Sequence, residues 1–188
     1  AALAHLQGAV KPVLLAGVKL APAGAQGSFE KLADALGCAT AVMPNAKGLF
    51  REDHAGFVGT YWGEVSSPDC AEVVESSDCQ IIAGPIFNDY TTTGWTALIN
   101  PKKSITADLD RVTVAGRRFH NVRLDDFLAA LAAVAPKKEA SLQAYQRLHE
   151  AAAPTAPVAA DTKLALRGAV VGAAPWTVSS TSWTPRPR

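Results

Sequence analysis

A run of polar and aromatic residues, NDYTTTGW, holds the side chains of this sequence that could most readily do chemistry. It follows an apolar run over 79–83, and it consists of Asn88, Asp89, Tyr90, Thr91, Thr92, Thr93 and Gly94, then a tryptophan. Amide, carboxylate and hydroxyl groups can orient a ligand, and residues that bind or catalyse often lie on loops. The sequence leaves open whether this run is an active site, part of one, or only a connection.

The histidines and cysteines lack the spacing of a metal site or of an activated nucleophile. No two histidines have the i, i+4 spacing of a helical metal pair, and there is no CxxC, no GxSxG elbow and no Cys-His signature. We therefore assign no catalytic, cofactor-binding or metal-binding residue. The odd number and spacing of Cys38, Cys70 and Cys79 predict free thiols, and Cys38 and Cys79 each begin an apolar run, which predicts that these two are buried.

The first turn of the predicted fold, AGVKLAPAGAQGS, is where a dinucleotide site would place G-x-G-x-x-G. Its glycines are Gly17, Gly24 and Gly27, so the fingerprint is missing and a plain connection is favoured. A nucleotide held by a looser turn remains the alternative. Asp108 and Asp110 follow a predicted strand and could bind its ribose, although solvated turn positions are favoured for them.

The stretch 43–63, MPNAKGLFREDHAGFVGTYWG, has no helical period and carries several glycines. Glycines at such points mark turns or a close approach of the backbone. Lys47 lies among them and could meet an anion, or it could pair with a neighbouring carboxylate.

Short apolar runs alternate with helical patterns along the chain. The runs over 12–16, 39–43 and 79–83 predict strands buried on both faces, and 104–107 and 112–114 are weaker candidates. Ser28 is a candidate cap for a helix that Gly37 ends, and Ser67 with Pro68 is a second start. Further helices are predicted over about 124–134 and 137–152. This alternation predicts an α/β, doubly wound domain.

Composition excludes two classes of partner. A net charge of +1 in 188 residues gives no basic surface for nucleic acid, and no run approaches the roughly 18 apolar residues of a membrane span. The hydrophobic share of 48% is enough for a real core.

Four segments carry a family resemblance over roughly residues 8–135. They are KPVLLAGVKL, AVMPNAKGLFREDHAGFVGTYWGEVSSPDCAEVVESSDC, IIAGPIFNDYTTTGW, and DRVTV with FHNVRLDDFLAAL. The pattern P-x-A-K-G, then His, then G-x-Y-x-G, together with GPIFND, is specific. The chain resembles the central domain of thiamine-diphosphate-dependent decarboxylases, and most of all the pyruvate decarboxylases of plants and algae.

The resemblance implies a Rossmann-like fold whose mostly parallel sheet has about six strands, with helices on both faces. It also implies a homo-oligomeric, cytoplasmic enzyme, a dimer or tetramer, that acts in fermentation. Such an enzyme cleaves pyruvate to acetaldehyde and carbon dioxide with thiamine diphosphate held through Mg²⁺. In that family the catalytic groups and the metal motif belong to an N-terminal and a C-terminal domain. This chain alone is therefore expected to be inactive and to bind no cofactor.

The alternation of elements, the composition and the resemblance together divide the chain into three parts. We expect the central domain over 1–135, a helix and linker over 136–160, and an irregular tail over 161–188 that does not match the family's C-terminal domain. The tail ends WTPRPR, and the expectation is a piece of a longer protein or a product with an altered end.

The resemblance also assigns a role to the run that begins at Asn88. In the family the matching loop faces the neighbouring domain near the active-site entrance, so Asn88 to Gly94 would form part of a gate. The alternative is a loop that packs only against its own domain. Two other functions stay open: a stand-alone module that binds FAD, NAD or ADP, and an interaction protein that docks onto full-length decarboxylase.

Overall fold

The computed structural model describes residues 1–152. It contains seven strands, which are β1 (Pro12–Ala16), β2 (Ala39–Val42), β3 (Phe57–Thr60), β4 (Cys79–Ala83), β5 (Ser104–Ala107), β6 (Arg111–Val114) and β7 (Arg117–His120). The α-helices are α1 (Ala2–Gly8), α2 (Gln26–Leu36), α3 (Cys70–Glu75), α4 (Leu124–Ala132) and α5 (Ala140–Ala152). No helix among these residues is long and apolar enough to span a membrane.

The strands form one sheet of order β3-β2-β1-β4-β5-β6-β7. Strands β1 to β5 pair in parallel, whereas β6 and β7 add an antiparallel extension. The chain moves outward from β1 to β3 and then returns to the other side of β1 with β4, which is a topological switch point. The Rossmann-like, mostly parallel sheet is confirmed, with seven strands where about six were expected.

The centre of the sheet is covered on both faces. Every residue of β1 and β4 is buried, although successive side chains of a strand point to opposite faces. Helix α2 packs against α4, and α3 packs against α5. The predicted burial of Cys38 and Cys79 is confirmed, and burial raises the pKa of each thiol to about 12. Cys70 is buried as well.

Two strands were missed because their sequences lack a continuous apolar run. Strand β3, FVGT, contains a glycine and is largely half-buried. Strand β7, RRFH, lies at the edge of the sheet, and Phe119 is its one apolar residue. Charged side chains are typical of edge strands, where they block pairing with other chains.

The predicted helix starts at Ser28 and Ser67 were wrong. Helix α2 begins two residues earlier, and the Ser28 hydroxyl instead donates to Asp125 Oδ1 at 2.6 Å, which ties α2 to α4. Helix α3 begins only at Cys70, and Ser67 Oγ accepts the Thr60 amide at 2.9 Å. The end at Gly37 is confirmed by its left-handed φ of 61°.

The last described helix, α5, begins three residues later than its prediction over 137–152. The predicted linker beyond residue 152 and the predicted tail over 161–188 lie outside the described residues.

Candidate functional site

The crevice at the switch point, where doubly wound folds bind ligands, is filled by the chain itself. The Gly17 amide donates to Ala83 O at 2.8 Å, and the Lys19 amide donates to Gly84 O at 3.0 Å. A Cβ on Gly17 would lie only 2.2 Å from Gly84 O, so glycine is required at this approach. The loops after β1 and β4 therefore touch, with no room for a ligand between them.

An ion pair lies beside this contact. Lys19 Nζ donates to Asp108 Oδ1 at 2.8 Å and to Oδ2 at 3.0 Å, and each side chain is 25% exposed. Partial burial raises the pKa of the Asp108 carboxyl. The hydrogen bond and charge of Lys19, with the Leu109 amide and Arg111, lower it by more, so the net pKa lies below the ordinary value. Asp108 thus binds Lys19 and not a ribose hydroxyl, which was the alternative. Asp110 is exposed.

The loop over 86–99, here called the polar–aromatic loop, is held by its own threonines. Asn88 Oδ1 accepts the Thr91 amide at 2.8 Å, and Thr91 Oγ1 accepts the Asn88 amide at 3.0 Å. The Thr92 hydroxyl donates to Asn88 O at 2.6 Å and accepts the Trp95 amide at 3.0 Å. Thr91 and Thr92 are both buried. The hydroxyls replace backbone partners that a helix or strand would otherwise provide.

A second set of contacts fastens this loop to the turn after β3. The Trp62 indole N–H donates to Tyr90 O, and the Thr93 hydroxyl donates to Trp62 O at 2.7 Å. The Glu64 amide donates to Thr96 Oγ1 at 3.1 Å. The ring centroids of Trp62 and Tyr90 lie 5.2 Å apart. Thus the end of the stretch 43–63 and the polar–aromatic loop form one site.

Glu75 joins α3 to the same site. Its Oε1 accepts the Tyr61 hydroxyl at 2.7 Å and the Leu98 amide at 3.1 Å. Burial, and then the hydrogen bond to Glu75, raise the pKa of the Tyr61 hydroxyl. Sequence reasoning singled out the stretch 43–63, which contains Trp62, but did not join it to the run that begins at Asn88, and it missed Glu75.

The outer surface of the polar–aromatic loop exposes several large apolar side chains beside the exposed Asn88 and Asp89. Tyr90, Trp95 and Leu98 are exposed by 61%, 65% and 66%, and Ile86 and Phe87 are exposed to a smaller extent. Monomeric proteins rarely expose contiguous apolar patches larger than roughly a few hundred Å², and such patches mark interaction surfaces or ligand grooves. The buried threonines therefore hold in place a set of exposed apolar side chains that could contact a ligand or another protein surface.

The remaining candidate residues lie in ordinary surface contacts. Lys47 Nζ pairs with Glu52 at 2.7 Å, which confirms the carboxylate alternative. His54 lies 3.0 Å from an Asp34 oxygen. Within residues 1–152, no three His, Cys, Asp or Glu side chains are grouped so that they could hold a metal ion.

The family described as "Thiamine pyrophosphate enzyme, central domain" matches residues 1–133. Pyruvate decarboxylase 1 of Nicotiana tabacum is 49% identical over 150 residues, covering 79% of this chain and 36% of that protein. Pyruvate decarboxylase 3 of Oryza sativa subsp. indica is 50% identical over 149 residues, covering 79% and 25%. The probable pyruvate decarboxylase Pdc101 of Schizosaccharomyces pombe is 46% identical over 157 residues, covering 83% and 27%.

The chain therefore spans between a quarter and about a third of the length of these curated relatives. The matched family segment, residues 1–133, contains the switch-point contact, the turn after β3 and the whole polar–aromatic loop.

Proposed function

The chain belongs to the thiamine pyrophosphate enzyme family, as its central domain, and we propose that it serves as this domain in a pyruvate decarboxylase. The reaction of that enzyme would be cleavage of pyruvate to acetaldehyde and carbon dioxide. The observation that carries the proposal is near 50% identity to pyruvate decarboxylases over about four fifths of the chain. We take residues 1–135 as the domain, with the linker and tail after it.

The filled crevice favours a supporting role for the domain over a nucleotide-binding one. Gly17 and Gly84 leave no space for a pyrophosphate, and Lys19 already neutralises Asp108. A stand-alone module for FAD, NAD or ADP would need both contacts to open.

Thiamine diphosphate is the cofactor of the family, and we propose that Mg²⁺ holds it. The described residues do not fit this group, since they contain no cluster of three potential metal ligands. The cofactor would therefore be held by the other domains of the enzyme, where its ylid supplies the decarboxylation chemistry. The role of this domain would be to support and join those domains.

We propose that Asn88, Asp89, Tyr90, Thr91, Thr92, Thr93 and Gly94 form a gate near the active-site entrance. The bonds within the loop would let it move as one unit, because they do not involve the rest of the domain. The bonds from Thr93, Tyr90 and Thr96 to the Trp62 turn would break and re-form. Lids of this kind commonly control substrate entry and product release.

A chimera tests the main proposal. Residues 1–133 would replace the matching segment of rice pyruvate decarboxylase 3, and acetaldehyde release from pyruvate would be measured. We expect a folded enzyme that keeps at least about a tenth of the parent kcat/KM, a loss of about 1.4 kcal/mol or less. A chimera that folds and binds thiamine diphosphate but produces no acetaldehyde would contradict the proposal. So would acetaldehyde production by the isolated chain.

The gate has its own test in the same chimera. Thr93→Val removes the hydroxyl that donates to Trp62 O, so we expect a changed kcat or KM with little change in the thermal midpoint. Lys47→Met, which removes an exposed ion pair, is the matched control and should leave both constants unchanged. Equal constants for the Thr93 variant and its parent would argue for a loop that packs only against its own domain.

The same resemblance leads us to propose a homo-oligomer, a dimer or tetramer, in the cytoplasm. Light scattering on the assembled chimera measures the first, and a monomer would contradict it. Fractionation of cells that express the natural protein measures the second.

A further inference from the structure

One face of the β5–β7 extension carries hydroxyl and guanidinium groups in a row. Thr106 pairs with Thr113, and Thr113 pairs with Arg118, across three neighbouring strands. Paired residues point to the same face of a sheet, so these three side chains lie side by side. Arg111 is two residues from Thr113 and shares that face. Val112 alternates with them and is buried on the other side.

The polar–aromatic loop forms the wall beside this row. Phe87, Trp95 and Ile99 line a groove with the polar row, and its volume is about 600 Å³. Small-molecule sites are commonly clefts of roughly 300–1,000 Å³ with a few placed polar groups. The groove lies on the face of the sheet, and the residues that line it do not include those of the filled switch-point crevice.

The charged residues that line the groove are all positive. Its lining includes Arg111 and Arg118 and no acidic residue. Arg111 Nη2 lies 3.5 Å from Asp108 Oδ2, a long contact to a carboxylate that Lys19 already holds at 2.8 Å. Within residues 1–152, Arg118 makes no salt bridge. A guanidinium presents several N–H donors in a plane that matches a carboxylate or phosphate, so an anion is favoured here.

The wall formed by the polar–aromatic loop supplies an apolar surface for the uncharged part of a ligand. Trp95 is 65% exposed and Phe87 is 37% exposed, so both rings have free surface toward solvent. A flat apolar group that packs on them would be removed from water while its charged end reaches the arginines.

We propose that this groove binds a small anion whose carboxylate or phosphate is attached to a flat apolar body. The anionic head lies at Arg111 and Arg118, with the hydroxyls of Thr106 and Thr113 as further donors. The apolar body packs against Trp95 and its neighbours in the wall. This site goes beyond the proposed function and does not depend on the reaction of the whole enzyme, because all of its groups lie in the described chain.

The test is an NMR titration of the ¹⁵N-labelled chain with three probes. Benzoate carries both a ring and a charge, acetate only the charge, and benzyl alcohol only the ring. We expect benzoate to shift the amides of Thr106, Thr113 and Arg118 saturably, with a dissociation constant on the order of 1 mM for so small a ligand. Acetate and benzyl alcohol should each bind more weakly, by about fivefold or more.

Two adjacent arginines give a matched pair of variants. Arg118→Ala should weaken benzoate by about tenfold, since a charge-assisted hydrogen bond is lost. Arg117→Ala makes the same charge change on the opposite face, where Arg117 Cζ lies 5.3 Å from the Phe119 ring centroid, and should leave binding unchanged. Arg118→Lys, which keeps the charge without the planar fork, should lie between Arg118→Ala and the parent chain.

Three results would overturn the inference. They are equal weakening by Arg117→Ala and Arg118→Ala, saturable shifts confined to other parts of the chain, and no saturable shift with any probe. If no probe gave a saturable shift, this face of the β5–β7 extension would be assigned to contact with a protein and not with a small anion. None of these results bears on acetaldehyde production by the chimera, so failure here and failure of the proposed function are separable.

Discussion

Two regions of the domain have opposite characters. At the switch point between β1 and β4, backbone hydrogen bonds, a close glycine contact and the Lys19–Asp108 pair fill the crevice. Around the polar–aromatic loop, buried threonines hold exposed aromatic rings beside an open groove. The fold has kept the topology of a nucleotide-binding sheet, while its available surface lies on the loop and on the β5–β7 extension. A fold class therefore does not give the position of a site.

The largest expected change in stability comes from a substitution that separates the two loops of the filled crevice. Gly17→Ala would place a Cβ 2.2 Å from Gly84 O, so the two loops must separate. We expect a loss of about 3 kcal/mol in the free energy of unfolding, measured by urea denaturation, because a backbone contact cannot relax as a side chain can.

Gly27→Ala is the control for that change. Gly27 lies in α2, and a methyl group added there would have nothing within 4 Å, so alanine should be neutral or should stabilise by up to about 1 kcal/mol. If both variants had the same stability, the close contact of the crevice would be disproved.

A smaller effect is expected inside the loop. Thr92→Val keeps the shape but removes the hydroxyl that accepts the Trp95 amide and that donates to Asn88 O. We expect a loss of about 1–2 kcal/mol, with faster amide hydrogen exchange over 88–96. Thr113→Val, at a half-buried sheet position, is the matched control. Unchanged exchange in the Thr92 variant would mean that the threonines do not hold the loop.

The smallest effect is expected at the ion pair. A double-mutant cycle with Lys19→Met and Asp108→Asn should give a coupling of about 0.5–1 kcal/mol, because both side chains are partly exposed. The more exposed Lys47–Glu52 pair should give a coupling near zero.

The Lys19–Asp108 pair should also depend on pH in one direction. The pKa of Asp108 is lowered in the folded chain, so its contribution is fully present above the unfolded value of about 3.9. It is lost as the pH falls below that value through the folded pKa. The stability advantage of the parent over Asp108→Asn should therefore shrink below about pH 4, and an advantage that grew there would contradict the assignment.

The sequence was sufficient for the centre of the fold. Continuous apolar runs gave the positions of β1 and β4 without error, and Gly37 gave the end of α2. Strand β7 is charged and strand β3 contains a glycine, so neither has such a signal; β7 is held by a tight hairpin with β6, and β3 by parallel pairing with β2. Ser28 had a good cap signal, but its hydroxyl is bound by Asp125 from another helix.

The site was predictable only in part. Local residue types singled out Asn88 and the three threonines, and they indicated a connection at the first turn. The approach of Gly17 to Gly84 and the hydrogen bond from Thr93 to Trp62 join segments far apart along the chain. One sequence carries no information on such pairs beyond the glycines themselves, so the filled crevice and the groove required the structure.

The measurement that tests the central claim most directly is a residue-resolved NMR titration of the chain with NAD. A filled crevice predicts that the backbone amides of Gly17, Lys19 and Gly84 keep their chemical shifts at every ligand concentration. A saturable shift of these amides would mean that the crevice opens to a nucleotide. The domain would then be a binding module in its own right, and the contrast between its two regions would be wrong.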